Sequence, residues 1–246
     1  MIGDQVIVDS NRPMLLLQNG RLPRYYFPLQ DIRTELLKPS GHASKSGVIG
    51  KARHFDLRLG ERLIPNAAWA YDAAGQVPDL SPYIAFYLRA MDRWLEEDVE
   101  IRGHARDPYH RVDAVPSSRH VRVSLDGQAL AESERTVVIF ETCLPPRWYF
   151  PLPDVRVDLE PSDLRTRCTY KGEAAYWSAP VGDRLQENLA WTYAEPYREV
   201  EPVRGLVCFF NERVDVELDG ELEERPLSPW AETGWWHDTR DFEDQL

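Results

Sequence analysis

Four groups of side chains in this 246-residue chain have the types and spacing to do chemistry. The first is Arg147-Trp148-Tyr149, followed by Phe150, Pro151 and Asp154. A guanidinium clamps a phosphate or carboxylate through two parallel hydrogen bonds, and aromatic faces stack a planar ring. The block therefore suits a small anionic or aromatic, nucleotide-like ligand, with Trp191 and Tyr193 as further rings. The competing reading is that the rings fill a core and that Arg147 pairs with Asp154.

The second group is Glu141. On a strand Val137–Glu141 it shares a face with Val137 and Ile139, so it points inward at the strand end. A buried carboxylate must be paired, hydrogen-bonded or protonated, and such groups concentrate at sites. The plain alternative is a strand end that reaches water. The third group is Cys168-Thr169-Tyr170-Lys171-Gly172. A lysine beside a glycine approaches an anion closely, which makes Lys171 an anion ligand and a catalytic partner for Glu141; a surface or salt-bridged lysine is the alternative. Cys168 reads as an inert thiol before it reads as a nucleophile. The fourth group is Asp215, Glu217 and Asp219 on one strand face. Carboxylates in a row hold Mg²⁺ or Ca²⁺, but a solvated strand face is their commoner meaning, and no metal is expected.

The histidines at 42, 54, 104, 110, 120 and 237 form no ligand-spaced pair and read as surface or turn residues. No GxSxG, HExxH or GxGxxG occurs, so no cofactor is named. The formal charge is −12, from 29 basic and 41 acidic side chains, which argues against nucleic acid as the main partner. The cysteines, Cys143, Cys168 and Cys208, make no CxxC pair and read as reduced thiols of a cytoplasmic protein. Neither a signal peptide nor a membrane span is expected.

The elements that position these groups occur twice. Arg24-Tyr25-Tyr26-Phe27-Pro28-Leu29-Gln30-Asp31-Ile32-Arg33 aligns with the ten residues from Arg147 to Arg156, with seven identities at an offset of 123. Gly60–Tyr71 aligns with Gly182–Tyr193, with seven identities in twelve at an offset of 122. A period near 120 residues is that of a duplicated domain. The division is residues 1–102 for a diverged first copy, 103–118 for a linker, 119–222 for a more intact second copy, and 223–246 for an acidic, Trp-containing tail. The first copy has Gln18 where the second has Glu141. Its Lys51 aligns with Lys171, which puts Val48 and Ala52 where the cysteine and glycine stand. It also lacks the strand that Val121–Leu125 supplies. A homodimer, the other copy or the linker would complete it.

Val121, Val123 and Leu125 alternate with polar residues, and Asp126-Gly127 suits a tight hairpin returning through Gln128–Glu132. Thr136–Phe140 is apolar on both parities, as a central strand would be. A second hairpin turns at Gly182-Asp183, and Val214, Val216 and Leu218 alternate with acids. Helix is limited to short candidates at Glu35–Lys38, Tyr87–Leu95 and Trp230–Trp236. The class is mainly β.

The order Val121-Arg122-Val123, Asp126-Gly127, Glu132-Ser133, Glu141, Arg147 to Pro151, Asp154, Cys168-x-x-Lys171-Gly172, Ala190-Trp191-x-Tyr193 and Phe209 closely resembles a bacterial family known as domain of unknown function 427. The segment Arg106–Asp113 also resembles members with tandem copies. The resemblance implies a small two-sheet, tent-like β domain in each copy. It also implies, through a nucleotidyltransferase-like label sometimes given to the family, an enzyme as the alternative to a binding domain. An assembly module built on an uncovered sheet edge is the third reading.

Overall fold

The structure is a computed structural model that describes residues 1–18, 21–72, 79–101 and 103–228. The chain divides into two compact units, with the boundary between Asp107 and Pro108. Each is built of antiparallel β-strands, as the alternating sequence predicts, and helix is confined to short 3₁₀ turns such as Thr34–Leu36 and Leu88–Ala90. The Trp230–Trp236 segment lies outside the described residues. No helix among those described is long and apolar enough to cross a membrane.

The second unit holds a seven-stranded sheet in the order Glu160–Cys168, Gly172–Val181, Arg184–Tyr193, Val207–Phe209, Arg147–Phe150, Thr136–Glu141, Val112–Ser117. Because successive side chains leave a strand on opposite faces, the sheet has two distinct cores. Val138, Trp148 and Phe150 join one cluster, together with Val121, Val123, Val216 and Leu218 of a smaller four-stranded sheet. Val137, Ile139, Tyr149, Trp191 and Tyr193 join the other, which Val200 and Val203 of the turn Arg198–Val203 complete. The smaller sheet contains the expected hairpin: Asp126 and Gly127 turn with φ of 50° and 79° between Val121–Leu125 and Gln128–Ser133. Val112–Ser117 lies within the stretch read as a linker. It pairs along its full length with Thr136–Glu141, so from Pro108 onward this stretch belongs to the second unit.

The first unit has a six-stranded sheet in the order Met14–Leu16, Arg24–Pro28, Tyr83–Phe86, Arg62–Tyr71, Gly50–Leu59, Leu37–Ser46. Among the described residues its second layer is reduced to a two-stranded ribbon, Leu95–Glu96 with Val99–Glu100, and isolated bridges. Ile2 and Ile7 are buried in its core beside Phe27, Leu57 and Phe86. Ile7 stands at the offset of Leu130, and the bridge Val8 to Ile32 repeats the bridge Ala131 to Val155. These first residues thus stand where the second copy has its strand Gln128–Ser133, and burying each such aliphatic side chain contributes ~2 kcal/mol.

The duplication extends to individual contacts. Trp69 Nε1 donates to Tyr26 Oη at 3.1 Å, and Trp191 Nε1 donates to Tyr149 Oη at 3.1 Å. The rings of each pair meet edge-on with centroids 6.2 Å apart. Asn66 and Asn188 both take φ of 49° at the same strand irregularity. The second layer, by contrast, differs between the copies: a four-stranded sheet in the second and, among the described residues, a two-stranded ribbon in the first.

Candidate functional site

Glu141 ends the strand Thr136–Glu141 on the face shared by Val137 and Ile139, and its side chain is only 6% exposed. Lys171 occupies the turn between Glu160–Cys168 and Gly172–Val181, and its side chain is 11% exposed. The Lys171 ammonium donates to Glu141 Oε2. The other carboxylate oxygen, Oε1, lies 3.1 Å from His110 Nε2. The His110 ring stacks on Tyr170, with centroids 4.1 Å apart and planes inclined by 15°. Three proton-active groups thus form one hydrogen-bonded chain at the edge of a tyrosine–tryptophan cluster.

Burial alone would raise the Glu141 carboxyl, but the bond from His110 and the Lys171 charge outweigh it and hold it below its ordinary value. Tyr149 and Tyr193 lie well above theirs, chiefly through burial; Cys208 adds to the rise of Tyr149, and the Glu141 charge adds to both. Cys208 is likewise pushed up by burial, so it is an inert thiol.

The turn that carries Lys171 depends on two neighbours. Gly172 takes φ of +103°, and a Cβ there would lie 3.1 Å from the Glu195 carbonyl oxygen. Cys168 Sγ accepts from Tyr170 N at 3.4 Å, as Ser46 Oγ accepts from Val48 N at 3.3 Å in the first copy. The sulfur therefore closes a turn and is not placed as a nucleophile.

The ladders correct the sequence alignment here. Ser46 pairs with Gly50, as Cys168 pairs with Gly172, and Ala52 pairs with Tyr71, as Ala174 pairs with Tyr193. Ser46 and Gly50 are thus the counterparts of the cysteine and glycine, and Lys51 matches Glu173. Ile49, not Lys51, stands at the place of Lys171, and it packs with the first copy's apolar cluster. Aligning the two lysines hides this, because the sequence between the repeat blocks offers no other anchor.

The remaining predicted residues do not join the cluster as a ligand clamp. Arg147 makes a bidentate pair with Glu212, at 2.8 and 2.6 Å, and the two side chains are 6% and 0% exposed. The guanidinium also lies 5.6 Å from the Trp191 ring centroid. Burial would lower Arg147, but Glu212 overrides it and raises it, and Ser228 donates a further bond to Glu212. Asp154 is not the partner of Arg147. It accepts from Ser133 Oγ at 2.7 Å and pairs with Arg135, as Asp31 does with Ser10 and Arg12, so it is a brace common to both copies. Trp148 faces the opposite core. Tyr149, Trp191 and Tyr193 are buried in the cluster beside Glu141, hydrogen-bonded or packed among themselves. Asp215, Glu217 and Asp219 each meet an arginine: Arg225, Arg122 and Arg119. Among the described residues no three His, Cys, Asp or Glu side chains gather to hold a metal ion.

His110 and Glu212 were missed. His110 falls in the stretch that the sequence assigns to a linker, although Val112 and Ala114 alternate with Asp113 just after it and signal a strand. For Glu212 the sequence holds no signal, since it is 65 residues from its partner.

Fold and site together define a duplicated β domain in which the second copy carries a buried His–Glu–Lys chain on a scaffold common to both. The chain belongs to the family described as Domain of unknown function (DUF427), whose model matches residues 1–97 and again residues 113–220. A comparison with curated proteins finds no match.

Proposed function

We propose that the second copy binds a small anionic ligand at the His110–Glu141–Lys171 chain, over the ring cluster of Tyr149, Trp191 and Tyr193. One observation carries this reading. The first copy builds the same tyrosine–tryptophan scaffold with Ile49 and Gln18 at the positions of Lys171 and Glu141. The fold therefore does not need the charges, and burying an ion pair costs several kcal/mol per ion that an apolar pair avoids. Charges kept at that cost, at a place where the scaffold accepts neutral residues, mark a site. Lys171 supplies the cation, and an incoming carboxylate or phosphate exchanges with Glu141 for it.

The second reading is an enzyme at the same place. It is favoured by the continuous chain from His110 through Glu141 to Lys171, which is an acid–base arrangement in which Glu141 takes or gives a proton and Lys171 holds the anion. A nucleotidyl transfer would be one such reaction.

The test is a thermal-shift panel of nucleotides, sugar phosphates and organic acids at millimolar concentration. A ligand at a hundred times its Kd stabilises by about 2.7 kcal/mol. The expected result is a stabilising anion whose effect is lost in Lys171→Ala. A flat panel overturns the proposal. If Glu141→Gln keeps binding but abolishes turnover of the same compound, the enzyme reading is correct.

A further inference from the structure

We propose that the second copy has another small-molecule site, between its two sheets, for a ligand with an apolar or aromatic body and an ammonium head. A half-open cavity of about 620 Å³ lies there, within the size range of ligand pockets. It is on the other side of the seven-stranded sheet from Lys171, since its floor is Val138 and Trp148, which belong to the inter-sheet core.

The cavity exists because the two sheets differ in extent. Val216 and Leu218 of the smaller sheet cover part of the larger sheet's inner face. Beyond them Val115 and Phe140 remain 42% and 40% exposed at the mouth. Large apolar side chains left in water beside a buried tryptophan are the surface that an apolar ligand body removes from solvent.

The head group follows from the polar atoms. Arg119 and Arg225 line the cavity, and each is paired with an aspartate, Asp219 at 2.7 Å and Asp215 at 2.8 Å. Arg119 also sits over the Trp148 ring, 6.0 Å from its centroid. Glu223 and Glu224 line the same mouth, and neither has an ion-pair partner among the described residues. Pro116, Pro145, Pro146 and Pro226 complete the wall, and proline has no N–H to offer an anion. Of the neutral polar side chains in the wall, Ser117 Oγ accepts from Arg119 N and Asn211 Nδ2 donates to the Pro146 carbonyl oxygen. The charge without an opposite partner is therefore that of the two glutamates, which favours a cation.

The experiment compares 4-phenylbutylamine with 4-phenylbutyrate, which share a body and differ in the sign of the head, by thermal shift and titration calorimetry. The amine is expected to raise Tm and the carboxylate to leave it unchanged. Glu223→Gln with Glu224→Gln, both on the surface, is expected to weaken amine binding about tenfold or more. Val115→Trp, which fills the mouth from an edge strand, is expected to abolish it. Equal binding of the carboxylate, no response to the amine, or undiminished amine binding in the glutamine variants overturns this site. None of these outcomes bears on the anion site.

Discussion

Ile49 of the first copy holds the turn position that Lys171 holds in the second, one residue before a glycine of positive φ in each case. The same fold thus carries an apolar side chain in one half and an ammonium bound to a carboxylate in the other.

Lys171→Ile alone leaves the Glu141 carboxylate buried with only His110 for a partner. Breaking a buried pair by removing one member costs about 3–5 kcal/mol. Adding Glu141→Gln, the first copy's own residue, is expected to recover most of the loss. Urea unfolding of the single and double variants measures this, and a double variant as unstable as the single would show that the charges are needed to build the domain.

Acid should weaken the second copy through Glu141. Its carboxyl is held below the ordinary value of 4.5 in the folded state, first against burial and then by His110 and Lys171. Its contribution is full above that ordinary value and is lost as the pH falls through the lowered one. Glu212, also held down by its arginine against burial, adds to the same acid loss. The urea midpoint of the wild type is expected to fall more steeply than that of Glu141→Gln between about pH 5 and about pH 3. Parallel slopes would remove Glu141 from the account.

Arg147 and Glu212 are expected to behave as a structural pair. Glu212→Ala strands a buried guanidinium and should cost about 3–5 kcal/mol, while Arg147→Met with Glu212→Leu should cost less than either charge removed alone. Arg147→Lys keeps the charge but loses the fork, so it should still destabilise. Chemical denaturation distinguishes these cases. None of the three should change which anion the Lys171 site prefers.

Gly172→Ala forces a Cβ to 3.1 Å from the Glu195 carbonyl oxygen at a φ of +103°. The backbone must shift, at about 1–3 kcal/mol, and Lys171 shifts with it. The expected outcome is weaker anion binding than the stability loss alone would give. Gly60→Ala, at a turn with open space around it, serves as the control for strain without a site.

The sequence by itself determined the duplication, the β class and the inward direction of Glu141. These are local or periodic properties: repeated blocks keep their order, and a two-residue period assigns each strand residue to a face. It also named Glu141 and Lys171 as candidate partners, and the structure joins them by a hydrogen bond. Only the tertiary structure decided the partners. His110 reaches Glu141 across 31 residues, Glu212 reaches Arg147 across 65, and Asp154 is drawn to Ser133 and Arg135 instead. Strand order and register set those distances, and neither leaves a mark in the spacing of residues along the chain. The ladder register likewise replaced Lys51 by Ile49 as the counterpart of Lys171, because hydrogen-bonded pairing fixes position where sequence identity has faded.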